Sequence, residues 1–263
     1  MGRRTTTARR AAAALVAPVT LAAVLAVAGC TGGPGGLDGT VAPTPSAPAT
    51  TDGTTTDGTT SDEGTDVRTR LTQALRDDTT GLGDLVAQDD TTLTVLDTPW
   101  LDGWQVVDVL SRAGAHGARA YLALSDEGTV TVLTGRPEAF VDLLAEASVR
   151  VRDEATAVAV VDTYLDATRS FRRWSQRVAT FDDVRLRPTL DDAAQATVDA
   201  ARTRLAAQIG PTSAQRRGDG FAVVAWVQDG DAVVRHDVDL TSDGTLTDHP
   251  STQVSGLPAP VSR

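Results

Sequence analysis

The stretch FAVVAWVQDGDAVVRHDVDLTSDGTLT, residues 221–247, carries the fold in outline. Phe221 to Val227 is dense in β-branched and aromatic side chains. In Ala232 to Leu240, the residues Val234, His236, Val238 and Leu240 share one parity, and Arg235, Asp237 and Asp239 share the other. A period of two marks a strand with one face turned to a core. Asp229-Gly230 and Ser242-Asp243-Gly244 are hairpin signals, because glycine reaches positive φ at no steric cost. The stretch predicts a three-strand antiparallel meander whose last strand covers Thr245 to Thr247, with an irregular tail from Pro250.

Upstream, the apolar period changes from two to between three and four. Asp191 to Gln208 predicts a helix with Ala194, Val198, Ala201 and Leu205 on one face, stopped by Gly210-Pro211. Asp153 is a candidate N-cap for the longest helix, running to about Val178 with Val158, Val161, Leu165, Thr168, Phe171 and Val178 as its apolar set. Pro137 opens a further helix to about Ala147 that buries Phe140, Val141, Leu143 and Leu144. Before it, Trp104 to Ser111, Ala118 to Leu124 and Thr129 to Leu133 read as another meander, turned at Asp126-Glu127-Gly128. Thr92 to Leu96 is a strand candidate, and Asp66 to Arg76 a short helix with Val67, Leu71, Ala74 and Leu75 on one face.

The expected class is therefore α+β, with antiparallel meanders and helices packed on one face. The residues from 66 to 263 form the globular part. Leu124-Ser-Asp-Glu-Gly128-Thr129 aligns without gaps on Leu240-Thr-Ser-Asp-Gly244-Thr245. Two readings stay open: a shared hairpin preference, or two related halves over 66–150 and 151–250. Helix, helix, then meander resembles the nuclear-transport-factor-like α+β cone, and helix followed by a three-strand meander resembles PepSY modules. Both resemblances rest on element order and imply no function.

The first residues have a different character. Arg3, Arg4, Arg9 and Arg10 precede an apolar run from Ala11 to Val27, marginal in length for spanning a bilayer and without a charged stop signal on its right flank. The run ends in Val27-Ala28-Gly29-Cys30. This segment resembles the lipobox of bacterial lipoproteins. The resemblance implies a diacylglycerol on the Cys30 sulfur and cleavage between Gly29 and Cys30, so that residues 1–29 are a signal peptide. Two or more acyl chains hold firmly, at about 0.8 kcal/mol per buried methylene. The implied location is the extracytoplasmic face of a cell membrane, reached by the general secretory route or, on the reading of Arg9-Arg10, by twin-arginine export. Residues 30–65 then form a Gly, Pro, Thr and Asp linker that cannot bury enough apolar area to order itself. Some thirty-five such residues span roughly 30 Å, and their acidic side chains would be repelled by anionic headgroups.

Charge and composition exclude several classes. The 263 residues carry 24 Arg, no Lys and a net charge of −11, which argues against nucleic acid as a partner. One Cys excludes an internal disulfide framework and a multi-thiolate metal site. His116, His236 and His249 have no helical metal-ligand spacing, and no motif calls for a cofactor. His236, on the apolar parity, reads as a hydrogen-bonded core or edge residue. No Gly-x-Ser-x-Gly elbow or phosphate-cradling loop is present, and Ser-x-x-Lys is impossible without Lys. No residue is assigned a catalytic role.

Two features remain. Arg169, Arg172, Arg173 and Arg177 surround Trp174 and make a candidate anion-binding spot for a wall polymer or an acidic envelope protein, or else they complement a helix C-terminus. Trp100 and Trp104 flank Leu101-Asp102-Gly103 and could floor an Asp-lined cleft in an envelope hydrolase. The leading expectation is a non-enzymatic, membrane-anchored binding protein, with that hydrolase as the alternative.

The anchor has a direct test. Cys30→Ala should leave the precursor uncut and without acyl chains, seen as intact mass in the membrane fraction. A Cys30→Ala protein that matured to a membrane-held form of wild-type mass would disprove the anchor.

Overall fold

The computed structural model describes residues 60–112 and 117–260, with side chains from residue 66. The signal segment, Gly29, Cys30, almost all of the linker and His116 lie outside the described residues. The elements in chain order are α1 (Thr60–Ala74), α2 (Leu82–Ala87), β1 (Thr91–Val95), β2 (Trp104–Ser111), β3 (Ala118–Ser125), β4 (Val130–Val132), α3 (Pro137–Glu146) and α4 (Glu154–Ala167). Then come β5 (Ser175–Arg177), α5 (Asp192–Leu205), β6 (Ser213–Arg217), β7 (Gly220–Asp229), β8 (Ala232–Thr241) and β9 (Leu246–Val254). The class is α+β, with two antiparallel sheets. One sheet runs β1-β2-β3-β4; in the other, β5 and β6 pair with different ends of β7, and β8 and β9 follow.

Strand periodicity explains the layering. In β3, Tyr121 and Ala123 join one core while Ala120, Leu122 and Leu124 join another, so the first sheet is covered on both faces. Its outer face meets Val67 and Leu71 of α1 and Leu75 just after it. Its inner face meets α3 and α4. The second sheet repeats the scheme. Phe221, Val223, Ala225 and Val227 face α3 and α4, whereas Trp226 and Val233 face Val198, Ala201 and Leu205 of α5. Among the described residues the buried core residues lie between Val67 and Leu257, within one compact unit, Thr56–Arg263.

The two aligned turns have one geometry. Ser125 N donates to Thr129 O and Thr241 N to Thr245 O, each at 2.9 Å, and Gly128 and Gly244 share φ +88°. A side chain at either position would be strained in that left-handed region.

Several elements differ from the sequence reading. The helix capped by Asp153, whose carboxylate accepts from Thr156 N, stops at Ala167 instead of Val178. Leu165 and Val178 belong to cores on opposite faces of the second sheet, which one helix cannot serve. The chain after Ala167 instead crosses to β7 and pairs Ser175 with Asp229. Ser213–Arg217 is the strand β6, and α2 is also an addition. Ala74 points to solvent and Val141 is half-buried. The expected irregular tail is ordered: β9 runs through Pro250 to Val254. It is an edge strand, where a missing N–H costs no ladder bond if it faces outward.

The opening of β7 supplies a test. A Cβ on Gly220 would sit 2.5 Å from Leu240 O and 2.9 Å from the Thr241 Cα, so Gly220→Ala should lower stability by about 2 kcal/mol. Gly210 has open space around it, so Gly210→Ala should be neutral or stabilising by up to about 1 kcal/mol. Urea midpoints at unchanged slope decide the comparison.

Candidate functional site

Because α4 ends at Ala167, one end of the inner face of β7, β8 and β9 is left uncovered. A half-open cavity of about 540 Å³ forms there, between Tyr164 and Leu165 of α4, Arg169 and Arg173 of the following loop, and His236 and Asp248 of the sheet. Register places the last two. Val238 pairs with Asp248 and His236 with Pro250, so His236 and Asp248 are diagonal neighbours on one face. His236 Nδ1 lies 2.8 Å from Asp248 Oδ2, and the Tyr164 hydroxyl donates to that oxygen at 3.4 Å. Both members of the pair are mostly buried, at 14% and 12% exposure.

The arrangement leaves hydrogen-bonding capacity over. Asp248 Oδ1 is buried without a protein partner, and so is Arg169 Nε. An acceptor left in that state costs about 1–3 kcal/mol, so a donor entering the cavity would be bound strongly. The His236 imidazole, held against Asp248, lines the cavity beside that oxygen. Leu165, Val227 and Val234 line the same space with apolar surface. Burial, reinforced by the Asp248 carboxylate, pushes the Tyr164 phenol well above its ordinary value, which keeps it a hydrogen-bond donor.

The four arginines of the sequence reading do not share a helix. Arg169, Arg172 and Arg173 sit in the loop after α4, and Arg177 ends β5. Arg177 is engaged by Asp162 at 2.7 Å and Asp166 at 3.0 Å. Arg173 meets the Asp229 carboxylate at 3.2 Å. Arg169 donates to Ser175 O at 3.0 Å and stacks over the Phe171 ring. Arg172 is exposed. Arg169 and Arg173 therefore belong to the cavity, and Arg177 to an ion-pair network.

Trp100 does border a cleft of about 670 Å³ with Asp102, Asp153, Arg150 and Arg152, but Trp104 is not among its walls. Trp100 packs 6.4 Å from Phe140, which makes it part of the core margin. The Asp153 carboxylate is spent on the N-cap of α4. Its hydrogen bonds from Thr156 hold its pKa below the usual range, opposite to what a general acid needs. His249 comes 3.7 Å from Asp239 on the surface. Among the described residues, no three His, Cys, Asp or Glu side chains come together as a metal site.

Sequence reasoning missed the His236–Asp248–Tyr164 group. Parity put His236 on the core face, but its partner Asp248 lies just past Thr247, where the last strand was expected to end. No protein-family model matches the chain, nor does any curated protein or solved structure.

The tyrosines give a pH test. The chain has two, and burial is the largest cause raising each above its ordinary value of 10.0. The unfolded chain then loses phenolic protons before the folded one. Their contribution to stability is full below pH 10 and falls as pH rises above it. Alkaline titration at 295 nm should show no phenolate until the protein unfolds. A reversible titration of both groups near pH 10 with native circular dichroism would contradict this packing.

Proposed function

We propose that this chain is an exported, membrane-anchored binding protein whose cavity beside α4 takes a compact amphiphilic ligand. The observation that carries this reading is the buried Asp248 oxygen left without a partner beside His236, in a cavity whose walls include the apolar Leu165, Val227 and Val234. A ligand with an apolar body would meet these side chains. Its hydroxyl or amide N–H would donate to Asp248, and a carboxylate or phosphate would reach Arg169 at the rim. The lipobox resemblance at Cys30 supports the anchor, and the linker supplies reach into the envelope. The role in this reading is non-enzymatic: binding needs only these donors and acceptors.

The test is native mass spectrometry of protein taken gently from its own membrane fraction. The wild type should carry a bound small molecule in addition to its acyl chains. Val234→Trp, which fills the cavity from the sheet side, should lose that molecule while keeping its thermal midpoint within a few degrees. Wild-type protein with no such mass, or a mass retained in Val234→Trp, would refute the cavity as the binding site.

A further inference from the structure

The loop after α4 does more than wall the cavity. Its sequence, Arg169-Ser-Phe-Arg-Arg-Trp174, has three arginines and no acid in a chain of net charge −11. Among the described residues the exposed large hydrophobics are Val95, Phe171 and Trp174, at 40%, 38% and 41%, so two of the three lie within four residues of one loop. Phe171 is held from behind, stacked on Tyr121 at 6.1 Å, with Arg119 over both rings. That support fixes the loop's shape, so displaying its outer edge costs little further ordering entropy. Three acids beside the loop are already engaged: Asp229 by Arg173, and Asp162 and Asp166 by Arg177. The exposed Arg172 is left with Trp174 at the tip.

We propose that this loop is a reversible membrane contact, in which Trp174 and the edge of Phe171 enter the interfacial layer of an anionic bilayer and Arg172 pairs with its headgroup phosphates. Amphipathic aromatic rings favour that layer, and each basic side chain near an anionic surface is attracted by about 1 kcal/mol. Such a contact is weak in free solution. It becomes effective if the unit is tethered, because a linker spanning roughly 30 Å holds it at millimolar effective concentration over the surface. The acidic linker is repelled by the bilayer, and the loop is a feature of opposite sign that can draw the unit down. Contact would present the cavity mouth, whose rim is Arg169, Ser170 and Arg173, to lipid. The physiological setting rests on the membrane-anchored reading above, but the contact is testable without it.

The experiment uses the compact unit, residues 56–263, which lacks Cys30, mixed with sedimentable vesicles at millimolar lipid and low salt. It should sediment with phosphatidylglycerol and not with phosphatidylcholine, and added salt should release it. Arg172→Glu changes the loop by two charges and should weaken partition by about 30-fold. Trp174→Ser should weaken it as well, while Val95→Ser should not. All three side chains are exposed, and unchanged thermal midpoints confirm folding. Equal sedimentation on both lipids, none on phosphatidylglycerol, or none of the expected loss in Arg172→Glu and Trp174→Ser would overturn the proposal. Loop-dependent binding to soluble poly(glycerol phosphate) with none to vesicles would also overturn it, in favour of a wall polymer. Any of these failures leaves the Cys30 anchor and the cavity untouched, since neither is probed.

Discussion

The two sheets depend on one layer of helix between them. α3 and α4 contribute Phe140, Leu143, Leu144, Val160, Val161 and Tyr164 to a single core that also takes side chains from both sheets. Phe140 is fully buried and meets the Tyr164 ring edge-on at 5.6 Å, so one aromatic pair locks the two helices together. Val151 N donates to Ser242 O and ties the turn into α4 to the far hairpin of the second sheet. Each sheet is thereby buried on both faces, which removes the usual freedom of an antiparallel sheet to leave one face wet.

The cavity follows from that layer. α4 is long enough to cover part of the second sheet and must then stop, because the chain has to reach the edge of β7. The uncovered portion is where a core face meets water, and polar groups can be held there in partly buried positions. Tyr164 takes part in both regions: its ring seals the helix layer, and its hydroxyl reaches Asp248. Packing and site chemistry are thus coupled through one side chain, and α4 cannot shift along the sheet without breaking that contact.

Charge is arranged with similar economy. Two of the four arginines that follow α4, Arg173 and Arg177, are held by local carboxylates, and Arg119 grips Asp108 through two hydrogen bonds of 2.8 and 2.6 Å. Ion pairs at such partly exposed positions contribute little stability each, but they orient the loop that rims the cavity.

How much of this was legible in the sequence depended on whether the signal was local. The second meander was readable because its period of two and its Asp-Gly turns are properties of adjacent residues. The caps of α4 and α5 were readable for the same reason: Asp153 and Asp191 bond backbone N–H groups three residues on. The α+β class followed from these local signals. The end of α4 was not readable, because the apolar spacing through Phe171 and Val178 fits a helix, and only the need for an edge partner along β7 overrides it. β6 and the second half of β9 were hidden likewise: their polar, proline-containing sequences become strands because β7 and β8 offer unpaired hydrogen-bonding groups. The His236–Asp248 pair was invisible because its members come together through cross-strand register. Residue types and neighbouring turns are written in the chain, whereas which strand lies beside which is settled by burying three cores at once.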